Sequence, residues 1–266
     1  MATIGIGYGN LVDSATITGP GWHSSYPVAN VQSRDPAVYA QTTGTTATLI
    51  FDFGVTATMQ VFALTAHTAT AGTETITVTA GTTSEGTDVH NGSALDCWPF
   101  SPLGGDRDGG HFGIWVVLPA AISARYAKMV VSGSATMRFG RAVICPLFLP
   151  THNPAYGKIA DDWQDSASTV DRMRGGSVQF WRRGRPLRSA PFEYSALPPT
   201  EASLWSEIVR THDVTQELVW VRHTQDRAMQ QQRGFVGTMR RLSGLENPFF
   251  GHQSAAIALD EIGGAP

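Results

Sequence analysis

The chain has 266 residues, only 15% of them charged, with a net charge of -3 and a pI near 6.2. That length supports one large core or two ordinary ones, and the balance lacks the basic excess of a protein whose main partner is nucleic acid. Two cysteines, Cys97 and Cys145, are too few for a disulfide framework and are expected as buried thiols of a protein made in a reducing cytosol.

In chain order, the start Met1-Ala-Thr-Ile-Gly-Ile has no basic region and no long apolar run, so no signal peptide is expected. Gly5, Gly7 and Gly9 lack the following helix and the further glycine of a phosphate-binding turn (position 10 is Asn10), and read as a flexible leader. Asn10–Thr18 alternates as a first strand, turned by Gly19-Pro-Gly21. Ala47–Gly54 is a short apolar run with β-branched and aromatic members and predicts the central core strand, followed by a second run at Met59–His67. Glu74–Ala80 alternates strictly, with Ile76 and Val78 on one side and threonines on the other. Asn91-Gly92-Ser93 is a formal glycosylation sequon, read without a signal as a turn. Asp106-x-Asp108-Gly also reads as a turn, since it lacks the distal glutamate of a calcium loop. His111–Leu118, Arg125–Val131 and Thr136–Ile144 supply the remaining strands. The most apolar runs, Ile114–Ile122 and Ala142–Pro150, fall far short of the ~20 residues of a membrane span, so no membrane insertion is expected.

Composition shifts near Pro146–Pro154. Residues 1–150 hold 6 Lys/Arg and 9 Asp/Glu, whereas residues 151–266 hold 13 of each; 20 threonines lie in the first 90 residues, which suits strand and loop. The expected organisation is a β-sandwich over 1–148, a linker over 149–175 and an α+β domain over 176–266. Asp161, Asp162 and Asp165 read as a solvated loop. Gly176–Tyr194 predicts a hairpin turning at Arg183–Pro186, whose Arg182, Arg183, Arg185 and Arg188 suit phosphate, carboxylates across an assembly interface, or simply a solvated face; the slightly negative overall charge disfavours nucleic acid. Pro198–His212 predicts an amphipathic helix, with Thr200 as N-cap and an apolar stripe of Leu204, Trp205, Ile208 and Val209. It is expected to pack on strands Glu217–Arg222 and Phe235–Arg240, separated by a polar loop over Gln225–Arg233, with a last strand from Pro248–Phe250 and Ala255–Ile262.

Pro27-Val-Ala-Asn-Val31, the aromatic loop at Tyr39, Phe51-Asp-Phe-Gly54 and the closing Ala124–Lys128 strand carry a resemblance. Over about residues 10–145 they resemble the galactose-binding-like, discoidin-type jelly-roll β-sandwich that opens a recurring type of bacteriophage tail protein. The layout of the second half is similar to the small α+β sandwich domains of distal-tail and minor-tail proteins. The resemblance implies a structural component of a long-tailed bacteriophage tail tip or baseplate, assembled in the host cytoplasm. Its partners would be copies of itself in a ring and other tail-tip and tail-tube proteins, with host surface polysaccharide as a further contact.

Discoidin-type domains display ligands on loops at one end of the sandwich. The resemblance therefore nominates Trp22, His23, Tyr39, Trp98 and Phe100, with the Glu85–Asn91 loop, as glycan or partner contacts; against this, Trp22 and Trp98 also fit as plugs of the core. The alternative function is a carbohydrate-binding protein that recognises a cell-surface glycan. No nucleophile elbow, zinc motif, P-loop or Cys-x-x-Cys is present, and nothing in the sequence brings Glu193, Glu207 and Glu217 together as an acid–base pair. No enzyme activity, metal or cofactor is expected.

Overall fold

A computed structural model describes residues 4–35, 37–154, 158–164, 169–172, 178–181, 185–241, 244–249 and 252–262. The chain is mainly β, with antiparallel pairing throughout the described ladders. It forms two compact units, one from Met1–Pro150 with Glu217–Phe235, the other from Thr151–Gln216 with Val236–Ile262. The division falls at residue 150, and Glu217–Phe235 belongs to the first unit.

In the first unit, β1 (Gly5–Gly7) is followed by a 3-10 turn at Leu11–Ser14 and by β2 (Thr16–Thr18). The single strand expected over Asn10–Thr18 is thus broken. Asn10 breaks it, because its side-chain oxygen accepts from both Val12 N–H and Ile144 N–H. β3 (Ala40–Gln41) leads into β4 (Thr46–His67), one 22-residue strand that joins both predicted apolar runs. Next come β5 (Thr75–Gly81), β6 (His90–Asn91), β7 (Leu95–Asp96), β8 (Ile114–Ser132), β9 (Arg138–Cys145) and β10 (Leu147–Phe148).

β4 and β8 pair along almost their whole length, with register shifts between Asp52 and Ala57 and between Met59 and Val61. On one side of these bulges the pair continues into β2 and β5; on the other it continues into β9 and β3. Bulges bend long strands, so two strands serve both layers of the sandwich. Between the layers lie Leu49, Phe51, Phe62, Leu64, Ile76, Met129 and Phe139, all fully buried. Each such side chain contributes roughly 1.5–3 kcal/mol by leaving water.

The second unit begins with β11 (Asp162–Gln164), β12 (Thr169–Arg172), β13 (Val178–Trp181), β14 (Leu187–Leu197) and α1 (Pro199–His212). The predicted hairpin's turn lies partly outside the described residues; among the described residues β13 pairs with β12, and β14 pairs with β11. β14 buries Ala190, Phe192 and Tyr194. In α1 the residue before the helix is Pro198, which offers no side-chain cap, and Thr200 lies inside the first turn rather than at the N-cap. Ala202, Trp205 and Ile208 are buried, while Leu204 is 41% exposed, so the buried stripe is narrower than expected.

The chain then returns to the first unit through β15 (Leu218–Val221), which pairs with β1; β1 also pairs with β10. The expected flexible leader is therefore a paired strand with Ile4 and Ile6 buried. Its glycines allow close approach: a Cβ on Gly7 would sit 2.6 Å from Cys145 Sγ.

The polar loop expected at Gln225–Arg233 contains α2 (Arg227–Arg233), capped by Asp226, whose carboxylate accepts from Ala228 and Met229 N–H. Its buried face is made of amides. Gln231 donates to the carbonyls of Cys97 and Gly113 and accepts from Phe100 N–H, so no apolar stripe announces the helix. The chain ends in the second unit with β16 (Phe235–Met239), β17 (Leu245–Phe249) and β18 (His252–Glu261). There β18 pairs with β14, β16 and β17, and β14 pairs with β11.

Candidate functional site

Three surface elements of the first unit converge beside β3. The loop from Trp22 to Tyr26 is held against β3 by backbone bonds from His23 N–H to the Gln41 carbonyl and from Gln41 N–H to the Tyr26 carbonyl, 2.9 and 3.0 Å. The Asn30 side chain donates to the Tyr39 carbonyl at 2.9 Å, so the Pro27–Val31 step fixes the backbone that presents Tyr39. Arg138 lies directly opposite Gln41 in the β3–β9 ladder.

On this frame the side chains form a continuous stack. His23 and Tyr26 have ring centroids 5.5 Å apart, and Tyr26 and Tyr39 lie 4.8 Å apart with planes inclined by 15°. The Arg138 guanidinium sits 4.8 Å from the Tyr39 centroid, and its Nε donates to Gln41 Oε1 at 3.1 Å. A hydrogen bond with Tyr26 raises the Tyr39 phenol above its ordinary pKa, desolvation adds to this, and the Arg138 charge opposes it. His23 Nδ1 accepts from Ser25 N–H at 3.2 Å, which puts the proton of the neutral ring on Nε2. Tyr26 is 37% exposed and Arg138 is exposed. Aromatic pairing contributes about 0.5–1.5 kcal/mol and an exposed cation–π contact about 0.5–1 kcal/mol. These energies suffice to order the side chains in advance of a ligand but are small beside the core.

The sequence-nominated residues divide. His23 and Tyr39 meet in this stack, joined by Tyr26 and Arg138, which the sequence did not single out. Trp22 is only half-buried, but its Nε1 donates to the Thr48 carbonyl at 2.9 Å and its ring meets Phe139 edge-on, so it anchors the loop beneath the stack. Trp98 is a correction: it is 5% exposed, its Nε1 donates to the Ala69 carbonyl, and it packs against His67 and Phe112. Phe100 is half-buried beside Phe112, 5.4 Å between centroids, and belongs to that second group.

The assembly patch changes as well. Arg182 and Arg183 lie outside the described residues, and Arg185 is half-exposed. Arg188 is buried and paired with the equally buried Glu261, so its charge is used inside the fold and is not offered to a neighbour. The three glutamates considered as acid–base groups are each committed to a cation: Glu193 to Lys158, Glu207 to Arg210 and Glu217 to Arg141. Burial pushes the Cys97 thiol up to about 12, and Cys145 is raised for the same reason. Among the described residues no group of three His, Cys, Asp or Glu is placed to hold a metal ion, and no helix is long and apolar enough to cross a membrane.

No protein-family profile and no curated protein matches the chain. Solved structures do match about half of it. A chitosan-binding module from a Paenibacillus sp. IK-5 chitosanase/glucanase matches at 12% identity and TM-score 0.38, over 52% of this chain and 100% of that one. A family 32 carbohydrate-binding module of Clostridium perfringens NanJ, solved with galactose, matches at 10% identity and TM-score 0.37, over 52% and 98%. SpGH29 matches at 13% identity and TM-score 0.36; the match covers 52% of this chain but only 28% of that protein.

Proposed function

We propose that the chain is a non-catalytic recognition protein whose first unit binds a carbohydrate on the His23–Tyr26–Tyr39–Arg138 stack. The observation that carries this reading is the pre-ordered row of ring edges itself. Saccharides offer weakly apolar C–H faces next to hydroxyls that both donate and accept. The stack offers the complement: exposed ring surface on Tyr26 together with two phenols, an imidazole Nε2–H and a guanidinium. Most of its members are held by backbone or neighbouring side chains, so little conformational entropy remains to be lost on binding. A glycan array probed with the whole chain tests this. Retention of one sugar class is expected, and uniform absence of binding across the array would remove the reading.

A second reading gives the protein a setting, as a structural component of a bacteriophage tail tip. It is favoured by the Pro27–Val31 and Phe51–Gly54 resemblance, whose residues build the loop support and the central strand. The two readings are compatible, because a tail-tip protein that touches the host surface needs such a site. Immunogold labelling of particles from an induced host culture separates them. Gold at the distal tail end is expected from the tail-tip reading, and unlabelled particles with antigen free in solution would leave carbohydrate binding alone.

A further inference from the structure

We propose that the saccharide bound by this stack is acidic, with its anionic group seated on the Arg138 guanidinium; this rests on the carbohydrate-binding reading above. In the first unit Arg34, Arg125, Lys128 and Arg141 each meet a carboxylate of the chain itself. Arg138 does not. Its interactions are with the neutral Gln41 amide and the Tyr39 ring, and it makes no ion pair among the described residues. The charge is exposed, unneutralised and held in one place.

The direction of the fork follows from the contacts. Nε is used by Gln41, and one face of the guanidinium plane lies over Tyr39, so the two terminal nitrogens are the donors left for a ligand. A planar fork with parallel N–H groups matches an oxyanion in bidentate fashion, which a neutral hydroxyl cannot equal. Next along the stack come the Tyr39 and Tyr26 hydroxyls and then His23 Nε2, positioned for the hydroxyls of the same or the adjacent sugar ring. The stack itself contains no carboxylate to oppose an anion. Carboxylated and sulfated sugars share this chemistry, and the choice between them is one for the experiment.

The test is a titration of the full chain with four probes: galacturonic acid oligomers, sialyllactose, a sulfated galactan and neutral lactose. At least one acidic probe is expected to bind more than about tenfold tighter than lactose, and to weaken as salt rises from low to physiological ionic strength. Arg138→Gln should bring that probe down to the level at which the unaltered protein binds lactose and leave the melting transition unchanged, because the side chain is exposed and bears no core contact. Arg138→Lys should recover only part of the loss, since it restores charge without the fork. Tight binding of carboxylated but not sulfated probes would assign a uronic or sialic acid, and the reverse a sulfate; either supports the inference. Unchanged acidic binding in Arg138→Gln, or preference of the unaltered protein for lactose, overturns it while carbohydrate binding stands. Failure of all four probes together with an empty glycan array overturns both.

Discussion

Around Trp98 the rings of His67 and Phe112 meet edge-on, and their polar atoms turn inward to backbone carbonyls of the fold. Around Tyr39 the rings of Tyr26 and His23 and the Arg138 guanidinium turn toward one another, at the surface. The residue types are similar, yet the first group closes the core and the second leaves donors and acceptors facing water. The difference teaches that an aromatic residue's role is set by where its polar atom is satisfied. The Trp98 indole is satisfied by the Ala69 carbonyl, just beyond β4, and is locked in place; the Tyr39 phenol is satisfied by a neighbour that is itself exposed. The following perturbations separate the two groups.

The largest effect is expected at Trp98. Trp98→Ala removes a fully packed ring and should cost about 3–5 kcal/mol in chemical denaturation. A cost below about 1 kcal/mol would show that the ring is not part of the core. Close behind is the ion pair at the base of the returning segment, where Arg141 bridges Glu217, Asp13 and the Gln32 carbonyl while almost wholly buried. Glu217→Ala leaves a buried cation with reduced compensation and should cost about 3 kcal/mol in the same experiment, whereas Arg138→Gln on the same strand should cost almost nothing.

His67 sharpens the comparison through pH. Burial holds its imidazole at about 4, against an ordinary 6.5; the bond to the Phe112 carbonyl and the charges of Glu74 and Asp108 only partly oppose this. The unfolded chain therefore takes up the proton first as pH falls. Stability contributed by neutral His67 is complete above pH 6.5 and declines as pH drops toward 4, by about 3 kcal/mol in total. His67→Gln should flatten that part of the stability–pH curve, and an unchanged slope would show that another group is responsible. Smallest is the surface stack: Tyr26→Ala should lower stability by only about 1 kcal/mol, measured by denaturation, although it opens the site.

Much of the first unit was legible because apolar alternation is a direct record of burial. Ile76 and Val78 sit where the pattern of Glu74–Ala80 placed them, and Ala47–Gly54 lies within the central strand. What escaped was whatever is satisfied by partners distant in sequence. The Gly5–Gly7 strand takes its partners from residues 147–148 and 219–221, and α2 hides behind Gln231, which bonds to residues more than a hundred positions away. The site was half legible for the same reason. Tyr39 and His23 are conspicuous by residue type, but Arg138 joins them only through the β3–β9 ladder, and a glance at Trp98 does not reveal that its indole is already bonded. Arg188 misled in the opposite sense, as a patch residue by sequence and a buried partner of Glu261 in the fold.

The measurement that tests the central claim most directly is calorimetric titration of the best array ligand into the unaltered protein and into Tyr26→Ala/Tyr39→Ala, with thermal unfolding recorded on both. The account predicts that the double variant loses more than about tenfold in affinity while it keeps a melting transition close to that of the unaltered chain. Equal affinity in the two proteins would contradict the account and move the recognition surface away from this stack.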